Sequence, residues 1–336
     1  INAAMLMLTA RLSEALDIKD FWTAMGASLI ISIVTTTINK PTEATLKFCK
    51  IAKEKDWIFV IVGDTKTPHD EYKALENNNV IYLTPEEQEK LYPELSETIG
   101  WKSIQRRNIG FVYAYHNSAD VVATVDDDNI PYSNWGDTIY VNQEIEVDLY
   151  ENVSSLYFDP ISPTNHNELW HRGFPIEDLP FKNDIEYKGK TKRKVLVQAD
   201  FWDGDPDIDA ICRLSKKPIV KFDKFSPFCS NQLAPFNSQN TFLAREVIPY
   251  YTVLPHTGRM DDIWGSYILQ HYFPNSVIYN QATVYQDRNV QDLVTNLENE
   301  IIGYRNTFKL LGELHNFENY LPERTKEFWN VYRKQF

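Results

Sequence analysis

Apolar and polar positions follow two rhythms along this chain. Over residues 29–128, short apolar runs rich in β-branched residues alternate with longer stretches of helical spacing. Leu29 to Thr35, Trp57 to Val62, Asn79 to Leu83 and Val121 to Val125 read as strands. Between the first two, residues 42–53 place Ala44, Leu46, Phe48 and Ile51 behind Thr42, a candidate helix cap. Thr84-Pro85-Glu86-Glu87 opens another helix, with Thr as cap and Pro at the first position. Residues 101–115 read as one longer helix. Trp101, Ile104, Phe111, Val112 and Tyr115 share its apolar face, and Lys102, Arg106 and Arg107 fall largely outside. Strand, helix, strand, repeated in this way, predicts a mostly parallel α/β sheet flanked by helices.

The rhythm breaks over 132–190, which is rich in Asn, Pro, Asp and aromatics. A loop of this length in a compact domain is usually functional or disordered, and the aromatic content argues against disorder. Strands are expected again at 195–199, 218–222, 241–244 and 277–284, and helices at 261–272 and 293–311. Residues 2–17 read as a helix and 23–28 as a linker. The expected organisation is therefore an N-terminal helix and linker (1–28), a main domain (29–310) and a C-terminal helical tail (311–336).

The 336 residues are 43% hydrophobic, enough for one large domain or for one domain with an appendage. A net charge of −13, with no Lys/Arg-rich block, speaks against nucleic-acid binding. No apolar run is long enough to span a membrane. Cys49, Cys212 and Cys229 form no CxxC or Cys/His cluster, so zinc and a disulfide framework are not expected. Sparse cysteine points to a cytoplasmic setting. The start at Ile1 keeps a truncated Golgi-lumenal domain as the alternative.

Against this acidic background, three consecutive aspartates end the apolar run at Val125. Side chains alternate along a strand, so Asp126 and Asp128 point one way and Asp127, a candidate nucleotide contact, the other. Paired carboxylates at the carboxyl end of a parallel sheet make an oxygen-only site suited to Mn²⁺ or Mg²⁺, which would in turn hold a diphosphate. The alternative is a solvated acidic turn. Thr35 and Thr36 at the first strand tip, and Asp64 at the second, are candidates for contacts to a base or ribose, with turn chemistry as the bland reading. Arg106 or Arg107, on the preceding helix, could reach a diphosphate, and Arg288 after the last strand could close over it.

A second cluster, Gly258-Arg259-Met260-Asp261-Asp262-Ile263-Trp264, places two carboxylates at a helix start. There the helix dipole favours the ionised form, so Asp261 or Asp262 is a candidate general base for an acceptor hydroxyl. Capping accounts for one of the two. Trp202 and Asp203, in the turn-rich stretch 201–207, are candidates for stacking on an acceptor sugar and bonding its hydroxyls.

The pattern resembles glycosyltransferases of the GT-A fold. Gly110-Phe111-Val112-Tyr113-Ala114-Tyr115, the aspartates, Gly258 to Tyr267 and Arg288-Asn289 are similar to the STELLO-like family. The aspartate strand also resembles the reversibly glycosylated polypeptides, which include UDP-arabinopyranose mutases. The resemblance implies a nucleotide-sugar donor, UDP-linked, with Mn²⁺ or Mg²⁺ on Asp126 and Asp128 and a glycan or other hydroxyl acceptor near Asp261 or Asp262. Three functions follow: a metal-dependent transferase, a mutase in which Arg107 or Arg106 becomes glycosylated, or a silent scaffold. A haloacid-type phosphatase is set aside, because its aspartates belong on the first strand.

Overall fold

The computed structural model describes residues 29–288 and 291–336. The helix expected over 2–17, the linker at 23–28 and Asn289 lie outside the described residues.

The first half is the parallel sheet that the chain pattern predicts. Strands β1 (Ile31–Thr37), β2 (Ile58–Gly63), β3 (Val80–Leu83) and β4 (Val121–Val125) lie in the order β3-β2-β1-β4, every pair parallel. They are connected through helices α1 (Glu43–Lys55), α2 (His69–Lys73), α3 (Pro85–Leu91), α4 (Pro93–Ile99) and α5 (Arg107–His116). Local chemistry sets several boundaries. Thr42 Oγ1 accepts from Thr45 N at 3.1 Å and starts α1. Thr84 and Glu87 exchange hydrogen bonds in a capping box, with Pro85 opening α3.

The long helix expected over 101–115 begins late. Lys102 has a positive φ of 59°, and Ile104–Arg106 form a 3-10 turn before α5. Arg106 and Arg107, expected outside the apolar face, are both buried. α5 can lie close over the sheet because Gly110 has no side chain. A Cβ there would collide with Val34 Cγ1 and sit 3.0 Å from Val62 Cγ2.

The second half is mixed. It comprises β5 (Asn129–Pro131), β6 (Glu144–Asn152), β7 (Ile185–Lys194), β8 (Val197–Gly204), helix α6 (Ala210–Lys216), β9 (Phe228–Cys229), β10 (Asn240–Ala244), helix α7 (Asp261–Tyr272), β11 (Val277–Gln286) and helices α8 (Leu293–Gly312) and α9 (Glu323–Arg333). From β4 the sheet continues β10-β8-β11-β9-β6-β7, with β5 paired to β11. The stretch read as irregular holds the β6–β7 hairpin at its two ends. Lys190 lies near Glu146 and Lys192 near Glu144 across it. No strand forms over 218–222; Val220 makes a single bridge to Gly204. Residues 311–336 pack onto the domain, with Tyr332 buried and its hydroxyl donating to the carbonyls of Ile248 and Tyr251. No helix among the described residues is long and apolar enough to cross a membrane.

Two register facts build the site. β10 runs antiparallel to β4, with Asn240 opposite Val125, so residues 237–239 arrive beside Asp126. β11 pairs with β5 so that Gln286 lies opposite Asn129, and Asp287 N donates to the Asp128 carbonyl at 3.1 Å. The close helix crossing can be tested directly. Gly110→Val should destabilise by about 1–3 kcal/mol through overpacking, read as a lower urea midpoint. An unchanged midpoint would show that α5 does not lie this close to β1.

Candidate active site

The carboxyl tips of β1, β2 and β4 open into one side of a cleft, and α7 begins on the other. The half at the strand tips encloses about 360 Å³ and the α7 half about 620 Å³; Asp126 and Asp128 line both. The aspartates sit in a turn immediately after β4, with Asp126 N donating to Asn129 Oδ1 at 2.8 Å. Their division of faces is nonetheless as expected. Asp127 turns towards β1, where its Oδ2 accepts from Thr37 Oγ1 (2.5 Å) and Asn39 Nδ2 (3.0 Å). It braces the β1 tip, and burial raises its pKa.

Asp126 and Asp128 differ sharply. Asp126 Oδ1 accepts from Arg107 Nη2 and Oδ2 from Gln239 Nε2. Asp128 Oδ1 is buried without a hydrogen-bond partner. Burial and the charges of Asp126 and Asp127 push its pKa up to about 7, against Arg288 and Gln286, which lower it. Among the described residues no group of three or more His, Cys, Asp or Glu side chains forms a metal cage. An orphaned buried carboxylate oxygen among like charges does fit a divalent cation whose other ligands are phosphate and water.

Around these groups, several expected contacts take other roles. Thr36 lines the strand-tip half; Thr35 is buried and does not. Asp64 lines it too, but mainly as an anchor. Its Oδ1 accepts from Thr65 N, Thr65 Oγ1 and Lys102 N, and its Oδ2 from Ser103 N at 3.0 Å. Burial opposes ionisation, yet the Ser103, Lys102 and Thr65 donors hold its pKa below the usual value. One lone pair on Oδ2 remains for a ligand.

Arg106 is not a diphosphate contact. It donates to Gln88 Oε1 (2.9 Å from Nε), Ser96 Oγ and the Ser96 carbonyl, and stacks 3.7 Å from the Trp101 ring. Arg107 is spent on Asp126 and on Ser238, at 2.7 Å to its carbonyl and 2.8 Å to Oγ. Neither guanidinium is accessible for glycosylation, so the mutase reading loses its residue. Arg288 does line the cleft, 3.8 Å from Asp205 Oδ2. Trp202 and Asp203 lie within β8 and are buried, so neither faces the cleft. The Trp202 indole N–H donates to the Asp205 carbonyl, and Asp203 accepts from Tyr132 Oη and Phe222 N.

At the α7 end, the N-cap position falls to Met260 rather than to either aspartate, although Asp261 Oδ1 accepts from Asp262 N at 3.0 Å. Asp262 Oδ2 accepts from Ser238 N (2.9 Å) and Oγ (3.1 Å), and its Oδ1 lies 3.0 Å from Arg172 Nη2. Asp261 Oδ2 accepts from Gln105 Nε2 at 2.7 Å, and its Oδ1 is 3.8 Å from Arg172 Nη1. Burial and the Asp262 charge raise the Asp261 pKa to about 7, with Arg172 opposing. The dipole argument, which favours the ionised form at this helix start, is outweighed at Asp261 by desolvation and a like charge.

No known family description matches the chain. It is similar to the probable glycosyltransferases STELLO2 and STELLO1 of Arabidopsis thaliana, 24% identical to each over 232 residues, or 62% of this chain. The chain resembles the STELLO-like glycosyltransferases. The matched region is 29% of STELLO2 and 28% of STELLO1, so the chain spans under a third of either relative. Among solved structures, glucosyl-3-phosphoglycerate synthase from Mycobacterium tuberculosis, in complex with Mn²⁺, UDP and phosphoglyceric acid, aligns with a TM-score of 0.45 at 12% identity. That alignment covers 86% of this chain and 82% of the synthase.

The site also contains residues that sequence reading did not single out, Arg172, Gln105, Ser238 and Gln239, together with Asp207 from the stretch 201–207. Arg172 Nε lies 2.7 Å from Asp207 Oδ1, so one buried cation serves Asp207, Asp261 and Asp262. Nothing in the spacing of the irregular stretch marks it.

The raised Asp261 pKa carries a stability cost with a definite pH window. An unfolded Asp titrates near 3.9, so the native state holds the proton more tightly, and stability falls as pH rises from about 4 to about 7. Asp261→Asn should therefore melt higher than the parent at pH 8, with the gap shrinking at pH 4. Equal melting temperatures at both pH values would refute the shift.

Proposed function

We propose that this domain is a metal-dependent glycosyltransferase that moves a sugar from a UDP-linked donor to an acceptor hydroxyl with inversion. The observation that carries the reading is one continuous cleft. It runs from strand tips suited to a nucleotide, past Asp126 and Asp128, to Asp261, a buried carboxyl poised near neutrality. Similarity to relatives named as glycosyltransferases supports the same class.

Asp126 and Asp128 would hold a divalent cation, which when bound offsets the charge of the leaving diphosphate. Asp128 offers an oxygen with no competing protein donor, and Arg107 and Gln239 fix the direction of Asp126. Arg288 adds positive charge beside Asp128. Asp261 takes the proton of the acceptor hydroxyl as that oxygen bonds to the anomeric carbon and the bond to the diphosphate oxygen breaks. A base works best when its pKa lies near the working pH, which favours Asp261. Asp262, committed to Ser238 and Arg172, orients the helix start.

In calorimetry with UDP and Mn²⁺, Asp128→Asn should weaken binding by at least ~1.5–3 kcal/mol, taking charged hydrogen bonds as the guide; unchanged affinity would sink the metal assignment. Separately, Asp261→Asn should slow transfer by about 10²–10⁴-fold, the usual contribution of a general base. In the parent, the rate should rise with pH through about 7 as Asp261 loses its proton. A product that keeps the donor's anomeric configuration would rule out the direct displacement.

A further inference from the structure

Arg259 is held unlike the other cations of the cleft. Its Nε donates to Glu300 Oε1 at 2.7 Å. Glu300 is fully buried, and its Oε2 accepts from Ala210 N (2.6 Å) and Tyr304 Oη (2.8 Å). The backbone is fixed as well. The Arg259 carbonyl accepts from Arg172 Nη1, and Gly258, at a φ of 61°, packs so tightly on the Asn299 carbonyl that no Cβ fits. The Nη1 and Nη2 groups make no hydrogen bond among the described residues, and Arg259 lines the α7 half of the cleft with Asn299.

Of the other cations that line the cleft, Lys66 belongs to the strand-tip half alone. Arg172 is shared among three carboxylates, Arg288 sits near Asp128 and Asp205, and Lys102 lines both halves of the cleft, where a diphosphate would pass. Glu300 neutralises much of the Arg259 charge, so what Arg259 offers is direction: two unspent donors on a guanidinium anchored by its third nitrogen. A fork of this kind matches the paired oxygens of a carboxylate or phosphate, and the anchor reduces the entropy lost on binding. The cleft wall around it is polar; Ile104 and Val253 are its only aliphatic side chains larger than glycine among the described residues.

We propose that Arg259 forms an anion subsite for the acceptor: the acceptor carries a carboxylate or phosphate near its reacting hydroxyl, and the two Nη groups grip that anion beside Asp261. This rests on the transferase reading above.

The test supplies Mn²⁺, each of the common UDP-sugars and one of three acceptors, glucose, glucuronate or glucose 6-phosphate, and measures UDP release above the acceptor-free rate. A charged acceptor should be favoured over glucose in kcat/KM by about ten- to a hundredfold, as expected for hydrogen bonds to a charged group. Whether glucuronate or glucose 6-phosphate leads identifies the anion. Arg259→Lys keeps a cation beside Glu300 but loses the fork, and should bring the ratio close to one. The ratio is taken within one preparation, so partial misfolding cancels. Equal use of glucose, a ratio that survives in Arg259→Lys, or no stimulation by any acceptor overturns the subsite. A protein that transfers to glucose as well as to the anions loses the subsite and keeps the transferase reading. A protein that neither binds UDP with Mn²⁺ nor releases it from any donor loses both.

Discussion

Two carboxylates one residue apart cannot both stay charged in a cleft wall without a cation, and Arg172 is that cation. Its guanidinium touches Asp207 and Asp262 closely and Asp261 more distantly. The inequality separates two chemically identical neighbours. Asp262 receives the nearer nitrogen and two donors from Ser238, while Asp261 retains burial and a like charge as its dominant influences. Environment, not residue type, makes two adjacent aspartates chemically different.

The two halves of the cleft share one buried hydrogen-bonded strap. Asn237 Nδ2 donates to Asp207 Oδ2 at 2.9 Å, Ser238 donates to Asp262, and Gln239 donates to Asp126. Arg107 joins Ser238 to Asp126 from behind. Three successive residues thus fix carboxylates on both sides, which explains why the antiparallel entry of β10 matters: a parallel strand would deliver its other end to this point.

What was legible in the sequence was whatever local pattern determines. The strands of the first half and the Thr42 and Thr84 caps follow from period and cap chemistry; Asp127 faces β1 as expected, but from a turn rather than through strand alternation. Arg106 and Arg107 were misjudged because helical spacing assumed one helix from Trp101, whereas the positive φ at Lys102 and the 3-10 turn delay its start. Trp202 and Asp203 read as turn residues because Asp-Gly dominates that stretch, yet β8 runs on through Gly204 between β10 and β11. Arg172 and Ser238 were invisible for a different reason. Their partners lie far away along the chain, and only the tertiary fold brings them together.

The β6–β7 hairpin ends the sheet, and β7 offers its outer edge to solvent. Lys188, Lys190, Lys192 and Lys194 occupy alternate positions along it, paired with Glu186, Glu146, Glu144 and Glu246. An incoming strand would have to strip water from this row of ammonium groups before it could satisfy a single backbone donor. Each ion pair adds little stability by itself. Their collective effect is on association: the charged margin insulates a long, otherwise open sheet from annealing to another one.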